Sequence, residues 1–369
     1  MAEASPFMQR ALAAARGVRG HTSPNPWVGA ALVRGDQVVA EGATSPDGGP
    51  HAEAGALAGG ERGGTLYVTL EPCAPFPGKR TQPCAEAIIE SGVERVVVAL
   101  LDAEPRVRGR GVALLREAGV EVEVGDGAEE ATALLRPYLK HRETGRPYVI
   151  AKFAATLDGR IAAAGGDSQW ITGEAARERA HEQRAWVDAV LVGSGTAVAD
   201  DPSLTARPGG ETAERQPLRV VLDGRGRLSP EAKLLSEPGR TLVATSHEAD
   251  AGWKASVAGA GAQVVECERD GEGLNLDQLL PALAERGVLS IWAEGGGTVL
   301  GSLFEGGHVD EVWAFLAPSI IGGDGVAAVG GAGVGRAADA FRLRERTIEE
   351  LGDDLLVRGY AGDWSPQVQ

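Results

Sequence analysis

Apolar and polar positions over the first 146 residues alternate in short runs whose period switches between that of a strand and that of a helix. Residues 28–33 (VGAALV) and 37–42 (QVVAEG) read as a hairpin-like pair. A helix is expected from His51, a strand at 66–70 (LYVTL), a helix after Cys84, and strands at 93–101 (VERVVVALL) and 120–124 (VEVEV) with a helix between them. Residues 1–20 form an amphipathic Ala/Arg stretch with Ser5-Pro6 placed to cap a first helix.

After Glu143-Thr144-Gly145-Arg146-Pro147 the pattern starts again, with 148–159 (YVIAKFAATLDG) as a long strand and turn. Further strands are expected at AVLVGSG, LRVVLDG, TLVATS, AQVVEC, SIWAEGG and VDEVWAFLAP, separated by helical stretches such as 174–186 and 276–286. Residues 209–216 read as a polar loop, and no short-period repeat is visible. Strands alternating with helices predict α/β layers. The expected division is a first domain at 1–146, a second at 147–363 and a tail at 364–369.

A chain of 369 residues with 43% hydrophobic and 24% charged positions has the composition of a globular protein with room for two cores. Three cysteines are too few for a disulfide framework and favour a reducing, cytoplasmic setting. There is neither a signal-peptide h-region nor an apolar run long enough to span a bilayer, so no membrane partner is expected. The net charge of −16 is unevenly placed: residues 1–146 carry 16 basic and 19 acidic side chains, and residues 147–369 carry 20 and 33. Neither half offers the basic surface that nucleic acid requires. A small phosphorylated substrate fits better, and further copies of the chain are the expected protein partner.

The sharpest chemical signal is His51-Ala52-Glu53 followed by Pro72-Cys73 and Cys84. One imidazole and two thiolates hold zinc while keeping a fourth position for water, whose pKa falls towards neutrality. A glutamate two residues after the histidine is placed to carry protons, the arrangement of zinc deaminases. Ten residues separate the cysteines here, where that class has a Cys-x-x-Cys tail, and Pro83 suits a helix start just before the second ligand. Ordinary buried thiols are the alternative.

The second half carries its chemistry on glycine. Glu294-Gly295-Gly296-Gly297 follows an apolar strand and precedes a helical run, so free amides would face an anion at a helix start. Gly193-Ser194-Gly195-Thr196 has Val198 where a dinucleotide fingerprint needs its third glycine, so this is not a Rossmann site. Tight-turn packing is the alternative for both. Lys152, Asp158, Ser168, Trp170, Arg184, Thr196, Asp200, Arg207 and Glu294 gather at expected strand ends, a set suited to a cofactor and a sugar phosphate. His181, His247 and His308 are scattered and read as structural or surface residues.

Taken together, TSPNPWVG (22–29), GGPHAE (48–53), TLEPC (69–73), TLDGR (156–160), SQWIT (168–172) and VGSGTAVADDPSLTAR (192–207) resemble the bifunctional riboflavin-biosynthesis deaminase/reductases over nearly the whole chain. The resemblance implies a cytidine-deaminase-like three-layer domain followed by a dihydrofolate-reductase-like α/β domain. It implies zinc-dependent deamination of a diaminopyrimidinone ribosyl phosphate, then NADPH reduction of its ribosyl group to ribityl. By the same resemblance His51, Cys73 and Cys84 hold Zn²⁺, Glu53 carries the proton, and Asn25 lies near the pyrimidine. Ala154, Trp170, Thr196, Asp200, Gly224, Gly296, Gly297, Thr298, Val299, Leu300, Gly301 and Ser302 would contact NADPH. Lys152, Ser168, Arg184, Leu204, Arg207 and Glu294 would hold the substrate, the two arginines at its phosphate. The chain departs from the family at Thr44 and Pro75, positions commonly histidine; the alternatives are the same reductase with an altered or inactive deaminase half, and a non-enzymatic binding protein stabilised by zinc. Lys79 and Arg80 in the intervening insertion are candidate replacements for those imidazoles at the phosphate.

Overall fold

A computed structural model describes residues 3–60, 62–77, 81–271 and 273–366. The chain separates into two compact units, Met1–Arg146 with Ser365–Gln369, and Pro147–Trp364. Gly145 closes the last helix of the first unit in the left-handed region (φ 68°), where a side chain would be strained, and Pro147 begins the next.

The first unit opens with α1 (Pro6–Gly17), whose N-cap Ser5 accepts from the Met8 amide. There follow β1 (Gly29–Arg34), β2 (Gln37–Ala43), α2 (Ala52–Leu57), β3 (Thr65–Val68), α3 (Cys84–Ser91), β4 (Arg95–Val98), α4 (Arg110–Glu117), β5 (Glu121–Val124) and α5 (Ala128–Thr144). The five strands form one sheet in the order β2-β1-β3-β4-β5, antiparallel across β2-β1-β3 and parallel from β3 to β5. Helix α1 packs on β1, β2 and β3 and touches α5, whereas α2, α3 and α4 form a second packed series. The expected hairpin and all five strands are present. Helix α5 is an addition to the sequence reading.

Two glycines let helices approach the sheet backbone to backbone. A Cβ on Gly29 would lie 1.9 Å from the Ala11 carbonyl oxygen of α1, and one on Gly42 would lie 2.1 Å from the Ala52 carbonyl oxygen of α2. Without those bare positions neither helix would reach its seat.

The second unit runs β6 (Tyr148–Thr156), β7 (Arg160–Ala162), α6 (Glu174–Trp186), β8 (Ala189–Gly193), α7 (Ser194–Asp200), β9 (Leu218–Leu222), α8 (Lys233–Ser236), β10 (Thr241–Ser246), α9 (Ala251–Gly259) and β11 (Ala262–Cys267). It continues with β12 (Arg269–Asp270), β13 (Gly273–Leu274), α10 (Leu276–Ala284), β14 (Ser290–Ala293), α11 (Gly297–Glu305), β15 (Glu311–Ala317), β16 (Val326–Ala327), β17 (Arg344–Leu351) and β18 (Asp354–Tyr360). Nine strands make one sheet in the order β11-β10-β9-β8-β14-β6-β15-β18-β17. It is parallel from β11 to β15, and β18 and β17 add antiparallel pairs at one edge.

Alternate residues of these strands feed two cores. Val149, Leu191, Val220, Leu242 and Ile291 pack with Leu279 of α10 and Leu300 of α11. Ile150, Val190, Val221, Val243 and Trp292 pack with Ala180 of α6, Ala197 of α7 and Val257 of α9. A parallel sheet covered by helices on both faces needs such continuous apolar runs. The expected tail at 364 starts later than the sequence reading placed it: the Trp364 ring lies edge-on to Tyr148, with centroids 6.1 Å apart, because its large apolar surface is better buried. Residues 367–369 lie outside those described.

Candidate active sites

In the first unit, three loops converge. His51 is the N-cap of α2, Cys73 follows β3, and Cys84 opens α3. The Cys84 sulfur lies 3.3 Å from His51 Nδ1 and 3.3 Å from the Cys73 sulfur, and Cys73 lies 3.7 Å from His51 Nδ1. These ligand atoms all lie within 4.8 Å of one another, the scale of the edges of a tetrahedron around zinc. Among the described residues no other group of three His, Cys, Asp or Glu side chains comes together this way. The Cys84 amide donates to the Cys73 sulfur at 3.3 Å, as suits a thiolate ligand. The donor set thus fits a zinc ion with one position open.

Glu53 is buried in the first turn of α2, at 3% exposure. Burial, and then the neighbouring Cys73 thiolate, push its carboxyl up to about 7. The Cys73 thiol is lowered to about 3, chiefly by the hydrogen bond from Cys84.

A residue that the sequence reading passed over supports this arrangement. Glu71, two positions before the ligand Cys73, is buried and accepts from the amides of Asp102 (3.1 Å), Gly109 (2.9 Å) and Val112 (3.1 Å). It therefore ties the loop carrying Cys73 to the start of α4. Asp102, raised to about 6 mainly by burial, accepts in turn from the Tyr138 hydroxyl at 2.9 Å. Asn25 donates to Asp47 at 3.3 Å. The Thr44 hydroxyl is engaged with the Val28 backbone, accepting from its amide at 3.2 Å. Pro75 is exposed. Lys79 and Arg80 lie outside the described residues.

The second unit's groups sit at the C-terminal ends of parallel strands, where the chain returns from β11 to place β14 between β8 and β6. Arg184 of α6 grips Glu294, after β14, through Nε and through Nη2 at 2.8 Å, and its Nη1 donates to the Thr205 carbonyl oxygen at 3.2 Å. Lys152 of β6 reaches the same carboxylate at 3.5 Å. Burial would raise Glu294, but Arg184 and Lys152 outweigh it and hold the carboxyl at about 2. Three of the five guanidinium donors of Arg184 are spent inside the protein. Arg207 is exposed, so it is the more available of the two arginines assigned to a phosphate.

His181, read from sequence as structural or surface, lies one helical turn before Arg184 with its Nδ1 shut from solvent and without a hydrogen-bond partner. Burial first, then Arg184 and Arg207, lower its pKa to about 4. Its sequence neighbourhood gave no signal, since two of the charges beside it, Arg207 and Glu294, come from distant positions.

Thr196, Gly224, Gly296, Thr298, Val299 and Ser302 line one cavity of about 340 Å³. Other members of the assigned set lie elsewhere. Leu300 is fully buried in the core, and Gly297 and Gly301 press against the backbone at Ala327 and Gly330. Ala154, Ser168, Trp170 and Asp200 do not line this cavity; Trp170 is 71% exposed, with Arg177 4.5 Å above its ring. Leu204 is buried with a positive φ of 51°. Asp158 spends its carboxylate on Thr156 and on the amides of Ile321 and Gly322, so it builds a turn.

Comparison with known proteins bears on both halves. A family model described as the cytidine and deoxycytidylate deaminase zinc-binding region matches residues 1–100, and one described as the RibD C-terminal domain matches residues 147–357. The chain is 40% identical over 355 residues to the riboflavin biosynthesis protein RibD of Aquifex aeolicus, covering 95% of this chain and 96% of that protein. It is 39% identical to the Escherichia coli protein of the same name, with 95% and 97% covered. Among solved structures, Acinetobacter baumannii RibD matches with a TM-score of 0.85 at 37% identity, covering 97% of this chain and 98% of that one. A Thermotoga maritima diaminohydroxyphosphoribosylaminopyrimidine deaminase/5-amino-6-(5-phosphoribosylamino)uracil reductase matches with a TM-score of 0.84 at 35% identity, with 97% and 98% covered.

Proposed function

The chain belongs to the RibD family of riboflavin-biosynthesis proteins, and from that premise we propose how its residues divide two reactions. It is a bifunctional deaminase and reductase. The first unit, residues 1–146, removes the 2-amino group of 2,5-diamino-6-ribosylamino-4(3H)-pyrimidinone 5′-phosphate. The second, residues 147–363, reduces the ribosyl group of the product to give 5-amino-6-(5-phosphoribitylamino)uracil.

His51, Cys73 and Cys84 would hold zinc, which when bound would supply a water activated for attack on the ring carbon. Glu53 would carry the proton from that water to the departing amine, a task suited to a carboxyl raised to about 7. Glu71 positions the Cys73 loop, and Asn25 orients the pyrimidine. NADPH, when bound, would supply the hydride for the second reaction. Thr196, Gly224, Gly296, Thr298, Val299 and Ser302 hold the cofactor, with Ala154, Trp170 and Asp200 at its outer parts and Gly297, Leu300 and Gly301 acting through backbone and packing. Lys152, Ser168, Leu204, Arg207 and Glu294 bind the sugar phosphate, and Arg184 acts mainly by fixing Glu294.

The meeting of three ligand atoms beside a buried glutamate carries this reading. Purified protein should contain about one zinc per chain. Given the diaminopyrimidinone ribosyl phosphate, it should yield the deaminated product alone without NADPH and the ribityl product with it, followed by mass. Protein purified without chelators that held no zinc, or released no ammonia, would overturn the deaminase assignment. A second reading, a working reductase with an altered first half, draws on Thr44, whose hydroxyl is occupied by Val28. It expects NADPH oxidation only when the deaminated substrate is supplied.

Among the described residues no helix is long and apolar enough to cross a membrane. The thiolate ligands favour a reducing cytoplasm, and the lack of a basic surface in either half argues against a nucleic-acid partner. The edge strand β17, with Ile348 71% exposed, supports a homo-oligomer, which sedimentation would test.

A further inference from the structure

Arg207 hangs from a segment that is anchored repeatedly up to the residue before it and released at its own side chain. After α7, the Asp201 carboxylate accepts from the Lys233 amide of α8 at 2.9 Å. The Ser203 hydroxyl donates to Glu237 at 3.2 Å, and the Ser203 carbonyl oxygen accepts from the buried Arg219 at 3.5 Å. The Thr205 carbonyl oxygen accepts from Arg184 at 3.2 Å. Asp201 and Leu204 hold positive φ angles of 38° and 51°, which side chains adopt at a cost, so the path of the segment is imposed by these partners. Beyond them the Arg207 guanidinium is exposed and makes no hydrogen bond or ion pair with another described residue.

The last anchor is Gln216, at the end of the stretch read from sequence as a polar loop. Its Oε1 accepts from the Ala206 amide at 2.8 Å, and its Nε2 donates to the Ala206 carbonyl oxygen at 3.1 Å and to the Ala213 carbonyl oxygen at 2.8 Å. One side-chain amide thus takes both backbone groups of the residue before Arg207, using its acceptor and both donors. A glutamate there would keep the acceptor but set a carboxylate against two carbonyl oxygens, and a methionine would offer neither group. The stem is seated against Gly239, where a Cβ would lie 2.9 Å from the Gln216 Cβ.

We propose that Gln216 is a positioning residue of the reductase reaction: by clamping Ala206 it aims the Arg207 guanidinium at the phosphate of the ribosyl substrate. This rests on the assignment of Arg207 to that phosphate. A guanidinium fork pairs with two phosphate oxygens over a narrow range of directions, and a fork already held in place loses less freedom on pairing, so the anchor on the adjoining peptide is felt as substrate affinity.

The test is a double-mutant cycle between Gln216 and Arg207, read by NADPH oxidation in the full-length protein supplied with the deaminated ribosyl phosphate. Gln216→Met keeps the length of the side chain and removes its polar end. It should raise the KM for the ribosyl phosphate about tenfold, the worth of one or two neutral hydrogen bonds, and leave kcat and the KM for NADPH within about twofold. In an Arg207→Ala background the same substitution should change the KM by less than about twofold, because the fork it serves is gone. If the methionine variant does not fold, Gln216→Glu carries the same cycle. An unchanged KM in a variant that melts like the native protein would overturn the proposal, and so would a tenfold effect that persists without Arg207. A joint rise in the KM for substrate and for NADPH would also overturn it, as the mark of a merely structural residue. If Arg207→Ala itself spared the KM, the assignment of Arg207 to the phosphate would fall, and the proposal with it.

Discussion

Glu53 and Glu294 are both buried carboxyls at the heart of their units, yet their surroundings drive them in opposite directions. Around Glu53 are a low-dielectric pocket and a thiolate, and the carboxyl rises to about 7. Around Glu294 are Arg184 and Lys152, and the carboxyl falls to about 2 although it too is largely withdrawn from solvent. A group poised near neutrality can give and take a proton, while one locked as an anion cannot. The first is therefore built for proton transfer and the second for holding cations in place, and burial alone decides neither.

The largest effect expected from breaking this contrast is at Glu53. Glu53→Gln should keep zinc and the reductase activity but lower deamination by about 10²- to 10⁴-fold. Near-normal ammonia release from that variant would remove Glu53 from the chemistry. Glu294→Gln attacks the other side, leaving Arg184 buried with its carboxylate partner gone; a loss of about 3–5 kcal/mol is expected for such a break. Chemical denaturation should place that loss in the second unit, with zinc content unchanged.

Arg207→Lys sharpens the comparison by asking which cation meets substrate. It should raise the KM for the ribosyl phosphate by a factor corresponding to about 1.5–3 kcal/mol and leave that for NADPH nearly unchanged. A change confined to NADPH would reverse the assignment of the two pockets.

The smallest effect concerns acid. The folded-state pKa of Glu294 lies below its unfolded value, so unfolding takes up a proton in the window between about pH 4.5 and 2. The stability it contributes is fully present above that window and is lost as pH falls through it. Arg184→Met/Glu294→Leu should flatten this part of the stability curve, and an unchanged slope would mean that the pair does not titrate as described.

Much of the fold was legible because the central strands of the second sheet are apolar runs buried on both faces. β8, β10 and β14 are buried at every position. β17 was not legible, since RERTIEEL lies exposed at the sheet edge along nearly its whole length and has no apolar face to show. α5 was hidden by Pro137 and by the burial of Arg136 and Lys140 among its apolar residues. In the first site, ligand identity could be read from spacing. The work of Glu71 could not, because its partners are backbone amides 31 to 41 residues further on.

Gly42 gives the deaminase site a weakness that no inspection of charges or ligands would reveal. Helix α2 has six residues, too few to persist alone, and it carries Glu53 directly behind the ligand His51. Its seat depends on the missing methyl at Gly42, where the Ala52 carbonyl oxygen fills the space. In evolutionary terms this is a silent point of failure. A lineage that acquires alanine there keeps every ligand and every proton carrier in its alignment, yet displaces both together, and so can lose one of two activities while its sequence still advertises both.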